Sequence, residues 1–201
     1  MVHAYHAIFT AYGFWLPNDP RGSWTDFVAS WEILRYGRPI AANSRASVAL
    51  KPHDHKLRVA AKSALKFPPV LFSGVDARAI GKGFDTAIDA SKYKVLACAI
   101  MPDHVRAVVG RHKQDIERIV GHLKGRASTE LERTGLHPFL GHRAADGSLP
   151  SPWAEKCWKV FLNTAADIER AIGYVNRNPG REGLPPQNWY FLAHNRPERG
   201  V

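Results

Sequence analysis

The sequence predicts an α+β domain in which helices pack on one face of an antiparallel sheet. Three observations carry this. Strand-like runs and amphipathic stretches follow in the order strand, helices, strand, strand, helix, strand, helix. The second and third strands, 93–101 and 104–109, are separated only by Pro102-Asp103, which allows a hairpin and no crossover. At 201 residues and 45% hydrophobic content, the chain can bury one proper core.

Residues 2–12, VHAYHAIFTAY, are aromatic and β-branched and read as the first strand. GFWLPNDPRGSW follows, dense in Gly, Pro, Asn and Asp, and reads as an ordered turn series. Residues 27–36 fit a short helix, and 55–66 a second one stopped by Pro68-Pro69. Residues 75–90 read as a helix despite Gly81 and Gly83. YKVLACAIM, 93–101, is a near-continuous apolar strand of the kind buried on both faces. From Asp115 to Arg133, Ile116, Ile119, Val120, Leu123, Ala127 and Leu131 form one apolar stripe, and Gly135 follows its end. Residues 136–152 read as a loop and 157–162 as a short strand. Thr164 is placed to cap a helix over 165–178, with Asp167 three residues on and Pro179 as its stop. The reading is one domain over 1–201, with an insertion at about 13–70 and an extended tail at about 180–201.

The net charge is +10, from 28 Lys and Arg against 18 Asp and Glu, spread over both halves of the chain. The folded body itself is therefore cationic, which fits a polyanion, nucleic acid first. Charge alone leaves a merely basic soluble protein equally open. The two cysteines, Cys98 and Cys157, form no CxxC and no zinc spacing, which points to a reducing, cytoplasmic compartment. The start of the chain lacks the pattern of a signal peptide. No run approaches the ~18 apolar residues of a membrane span.

Side chains alternate along a strand, so His104, Arg106 and Val108 share one face, and Val105, Ala107 and Val109 share the core face. In isolation His104 and Arg106 read as a polar strand end. On the last helix, Ile168, Ala171, Ile172 and Val175 form the buried stripe. Tyr174 lies on its flank, with Asn178 one turn after and Arg170 one turn before. A phenol between an amide and a guanidinium suits nucleophilic attack on a phosphodiester, and an amide oxygen suits a hard cation such as Mg²⁺. Helix position alone favours the plainer reading, a half-buried Tyr before a helix-ending Asn-Pro.

Other histidines are weaker. His53-Asp54-His55 has a polar centre and reads as a solvated turn. His3 and His6, three apart on a strand, point to opposite faces and cannot chelate together.

Taken in order, MPDHVRAVV, a helical LKGRAS, then AIGYVNRNP resemble the IS200/IS605-like single-tyrosine transposases, and more narrowly their REP-associated branch. HAIFTAYGFWLPNDPRGSW also resembles a subgroup of them, and the likeness runs from the first strand to about residue 192. The resemblance implies a ferredoxin-like fold of the HUH endonuclease superfamily. It implies a bacterial, nucleoid-associated enzyme, monomer or homodimer, that cuts and rejoins single-stranded DNA beside hairpins. It implies Tyr174 as nucleophile, and His104 and Asn178 as ligands of one divalent cation, Mg²⁺ or Mn²⁺. Arg106 departs from the pattern, standing where the second histidine of His-hydrophobic-His belongs. Arginine has five donors and no lone pair. Three consequences stay open: weak metal binding through His104, Asn178 and water; a phosphate clamp by Arg106 in place of the metal; or loss of cleavage with DNA binding retained. Loss or severe weakening of cleavage ranks first. Lys124, Arg126 and Arg133 on the middle helix, Arg111, His112 and Lys113 after the hairpin, and Arg170 are the expected phosphate contacts. Trp15, Trp24 and Trp189 suit either base stacking or core.

Overall fold

The computed structural model describes residues 1–14 and 55–196. The elements are β1 (Ala4–Thr10), α1 (His55–Ser63), α2 (Gly74–Ser91), β2 (Val95–Ile100), β3 (His104–Gly110), α3 (Ile116–Arg133), β4 (Trp158–Leu162) and α4 (Ala165–Arg181), with a 3-10 turn at Leu140–His142. The expected helix at 27–36, Trp15, Trp24, His53 and Asp54 lie outside the described residues.

The four strands form one sheet in the order β2-β3-β1-β4, every neighbour antiparallel. With helices inserted between β1 and β2 and between β3 and β4, this is the ferredoxin-like α+β arrangement. The hairpin through Pro102-Asp103 is formed, with the Met101 N–H donating to the His104 carbonyl at 2.8 Å. The turn is also anchored from outside. Phe72 N–H donates to the Pro102 carbonyl at 2.8 Å, and Ala11 N–H to the Asp103 carbonyl at 2.9 Å. His104 therefore starts its strand at a fixed height.

Helices α2 and α3 pack against each other over one sheet face. Ser73 and Asp76 form a capping box that starts α2. A Cβ on Gly83 would lie 2.6 Å from the Ala127 Cα, so this glycine lets the two helix backbones touch. A Cβ on Gly81 would lie 2.7 Å from the Trp189 ring. That contact, and the stacking of Trp189 on Phe191, make Trp189 a packing residue. Between these helices and the sheet, Phe84, Ile88, Ile119 and Leu123 meet Phe9, Val105 and Ala107 in one core.

Helix α4 covers the opposite face. Thr164 and Asp167 form its capping box, as the spacing predicts. Ala171 and Val175 pack on Ala4, Ala97, Ala99, Met101, Val108 and Leu162. Three of those six are alanines, which lets the helix approach the sheet closely. One boundary differs from expectation. Pro179 does not end the helix but sits inside its last turn, and the helix runs to Arg181. A proline constrains the turn before it, and here the preceding turn loses only one backbone donor.

The tail is held down. The Gln187 amide pairs both ways with Ile100, accepting from its N–H and donating to its carbonyl, each at 2.8 Å. Ala193 N–H donates to the Val95 carbonyl at 2.8 Å. Arg196 pairs with Asp85 and Asp89 of α2. The free edge of β2 is thereby covered.

Candidate nucleic-acid site around Tyr174

The register sets the site. Thr10 pairs with His104, Ile8 with Arg106 and His6 with Val108, so all six point to the α4 face. On α4, Tyr174 stands beside the buried Val175 and reaches over this end of the sheet. The Arg106 guanidinium carbon lies 5.2 Å from the Tyr174 ring centroid. Arg181, two turns along α4, brings a second guanidinium to 5.4 Å. His6 meets the same ring edge-on at 5.9 Å.

His104 and Arg106 are joined. Arg106 Nε–H donates to His104 Nε2 at 3.0 Å. The other ring nitrogen, Nδ1, faces Asp103 Oδ1 at 2.7 Å. Because Nε2 accepts, the bonding pattern assigns the proton to Nδ1, which donates to the carboxylate. Asp103, His104 and Arg106 thus form a line that ends over the phenol.

The residues expected to hold a divalent cation do not fit one in this arrangement. The Nε2 lone pair of His104 is taken by the arginine, and a fixed positive charge stands beside it. Asn178 is buried, with its Nδ2 lacking a hydrogen-bond partner. Among the described residues, no group of three or more His, Cys, Asp or Glu is placed to hold a metal ion. The unpaired Asn178 donor, one turn from a tyrosine flanked by two guanidiniums, instead suits an incoming anionic oxygen.

His6 is the site residue that sequence reasoning missed. It is buried and its Nε2 has no partner. Burial first, and then the Arg106 charge, push its pKa down from 6.5 to about 4. The folded protein therefore keeps His6 neutral while the unfolded chain protonates below about pH 6.5. Stability falls as the pH drops from 6.5 towards 4. The loss from this group approaches about 3 kcal/mol, at roughly 1.4 kcal/mol for each pH unit between the two values. Urea unfolding followed from pH 7 to pH 4 is expected to show that slope, and His6→Gln to flatten it.

The expected phosphate contacts separate. Arg111 and Lys113 are exposed beyond the end of β3. Arg126 and Arg133 are exposed on α3, across the sheet from Tyr174; Arg126 donates to His122 and Arg133 to Glu130. Arg170 is exposed and pairs with Asp167 in the first turn of α4. Lys124 is a correction. It is buried, and its ammonium donates to the carbonyls of Ala154, Glu155 and Lys156 at 2.7, 3.2 and 3.0 Å. All three protons are spent inside the fold, so it has none for DNA.

Fold and site together define a basic ferredoxin-like domain that holds a helix-borne tyrosine over a sheet-borne His-Val-Arg. The family model described as IS200-like transposase matches residues 69–142. That match shows the resemblance to these transposases across the centre of the fold; it includes His104 and Arg106 and ends before Tyr174. No curated protein matches the chain. Among solved structures, the chain is similar to a REP-associated tyrosine transposase bound to a REP hairpin, at 8% identity over 91% of this chain and 70% of that one, TM-score 0.47. It is also similar to a putative transposase from Deinococcus radiodurans R1, at 12% identity over 87% and 91%, TM-score 0.38. No helix among the described residues is long and apolar enough to cross a membrane.

Proposed function

We propose that this protein binds single-stranded DNA carrying hairpins, in the manner its resemblance to IS200-like transposases implies, and that metal-assisted cleavage by Tyr174 is disabled in it. One observation carries this reading. The Arg106 Nε–H occupies His104 Nε2 at 3.0 Å while its guanidinium covers the Tyr174 ring. The side chain that replaces one ligand thereby also consumes the other. The cationic surface and the exposed Arg111, Lys113, Arg126 and Arg133 support DNA as the partner.

A second reading rests on the two guanidiniums flanking Tyr174 and the unpaired Asn178 donor. In it, Arg106 clamps the phosphate and stabilises the charge that builds as Tyr174 Oη attacks. The Oη–phosphorus bond forms, the bond to the 3′-oxygen breaks, and that oxygen leaves as a hydroxyl.

Incubation with hairpin-bearing single-stranded DNA and Mg²⁺ or Mn²⁺ decides between them. Binding without a denaturant-resistant protein–DNA adduct is the expected result. An adduct that disappears in Tyr174→Phe overturns it. Persistence of that adduct in a chelator selects the arginine clamp.

A further inference from the structure

A second aromatic cluster lies away from Tyr174, on the opposite sheet face and towards the other end of β1. Tyr5 and Phe161 are register partners on β1 and β4. Their ring centroids are 5.8 Å apart at an interplanar angle of 59°. Phe161 is 51% exposed, although it lies in a strand, and Tyr5 is half-buried beside it. The Lys159 ammonium stands 5.6 Å from the Phe161 centroid. Exposed His3 and Arg111 border the pair from the other side, joined by the Arg111 N–H donating to the His3 carbonyl at 2.9 Å. Among the described residues, β4 is an edge strand, paired with β1 alone.

A lone exposed phenylalanine needs no explanation. This one is different because Lys159 stands against its ring on one side, and Arg111, bonded to His3, lies beyond Tyr5 on the other. Apolar surface meant for a protein core has no use for that border. A nucleic acid strand does: its bases offer π-faces to the rings and its phosphates offer charge to Lys159 and Arg111. Lys159 also pairs with Glu117 of α3 in a partly exposed contact, which a phosphate must displace to reach the ammonium.

We infer that Tyr5 and Phe161 form a stacking platform for unpaired bases of single-stranded DNA, with Lys159 and Arg111 neutralising the flanking phosphates. This rests on the DNA-binding reading above and adds a place where the unpaired segment is held. A strand reaching both this platform and Tyr174 passes around the β4 edge.

The test compares a blunt hairpin with the same hairpin carrying an unpaired thymidine tail, by fluorescence anisotropy. In the wild type the tail is expected to tighten binding. Phe161→Ala and Phe161→Leu are expected to lose roughly tenfold on the tailed probe and nothing on the blunt one. Phe161→Tyr is expected to keep the gain. The exposed position and the blunt probe together control for folding. Phe161→Ala retaining the full gain overturns the platform, as does an equal loss on both probes. A wild type that binds both hairpins equally overturns the platform and leaves the DNA reading standing. A wild type that binds neither overturns the DNA reading itself.

Discussion

Arg106→His is expected to raise divalent-metal affinity roughly tenfold or more and to bring a Tyr174–DNA adduct above background. The substitution changes three things at one position. It removes a guanidinium that stands over the phenol ring. It frees His104 Nε2, which the Arg106 Nε–H now occupies at 3.0 Å. It adds a second imidazole on the same strand face, two residues along. The supporting partner is already built: the contact of His104 Nδ1 with Asp103 Oδ1 at 2.7 Å holds the ring in the tautomer that presents a lone pair at Nε2. Manganese titration measures affinity without any reaction, and the adduct assay measures chemistry. Unchanged affinity in Arg106→His means that position 106 is not what keeps a metal out. Raised affinity without an adduct means that Tyr174 is misplaced for attack. Arg106→Ala separates release of His104 from gain of a ligand, and is expected to fall between the two proteins.

Much of this site is legible in the amino-acid sequence alone. The two-residue break between apolar runs implies the hairpin, and alternation implies the shared face of His104 and Arg106. The apolar stripe of the last helix places Tyr174 on its flank, between identifiable caps. The face that α4 covers is harder to read, because β2 is apolar on both sides and periodicity then carries no direction. His6 is hidden for a related reason. A single histidine in an apolar strand looks like core until the β1–β3 register sets it opposite Val108, two residues from Arg106. The pairing of Gln187 with Ile100 is illegible, since an edge strand and a distant amide share no sequence pattern. Lys124 carries a readable signal that charge obscures. It falls four residues after Val120 and three before Ala127, inside the stripe that α3 buries.

Lys124→Met is expected to destabilise the fold by about 3 kcal/mol, from roughly 1 kcal/mol for each carbonyl acceptor left without its donor. Methionine matches the length of the lysine stem, so the loss comes from the head group. Three carbonyls on consecutive residues, Ala154, Glu155 and Lys156, converge on the ammonium, and each becomes an unsatisfied acceptor. Those residues lead into β4, which carries Lys159 and Phe161. For a protein of this size the midpoint of thermal unfolding falls by roughly 10 °C. Burial pushes the Lys124 pKa down to about 8. Above that pH the folded protein releases a proton that the unfolded chain keeps up to about pH 10.4. The contribution of this group to stability therefore rises with pH between those values. Denaturant unfolding at pH 7, 8 and 10 is expected to show that rise in the wild type and its loss in Lys124→Met. Lys124→Met with an unchanged melting temperature and a weakened, less salt-sensitive grip on hairpin DNA would return the residue to the DNA-contacting role that its charge suggested.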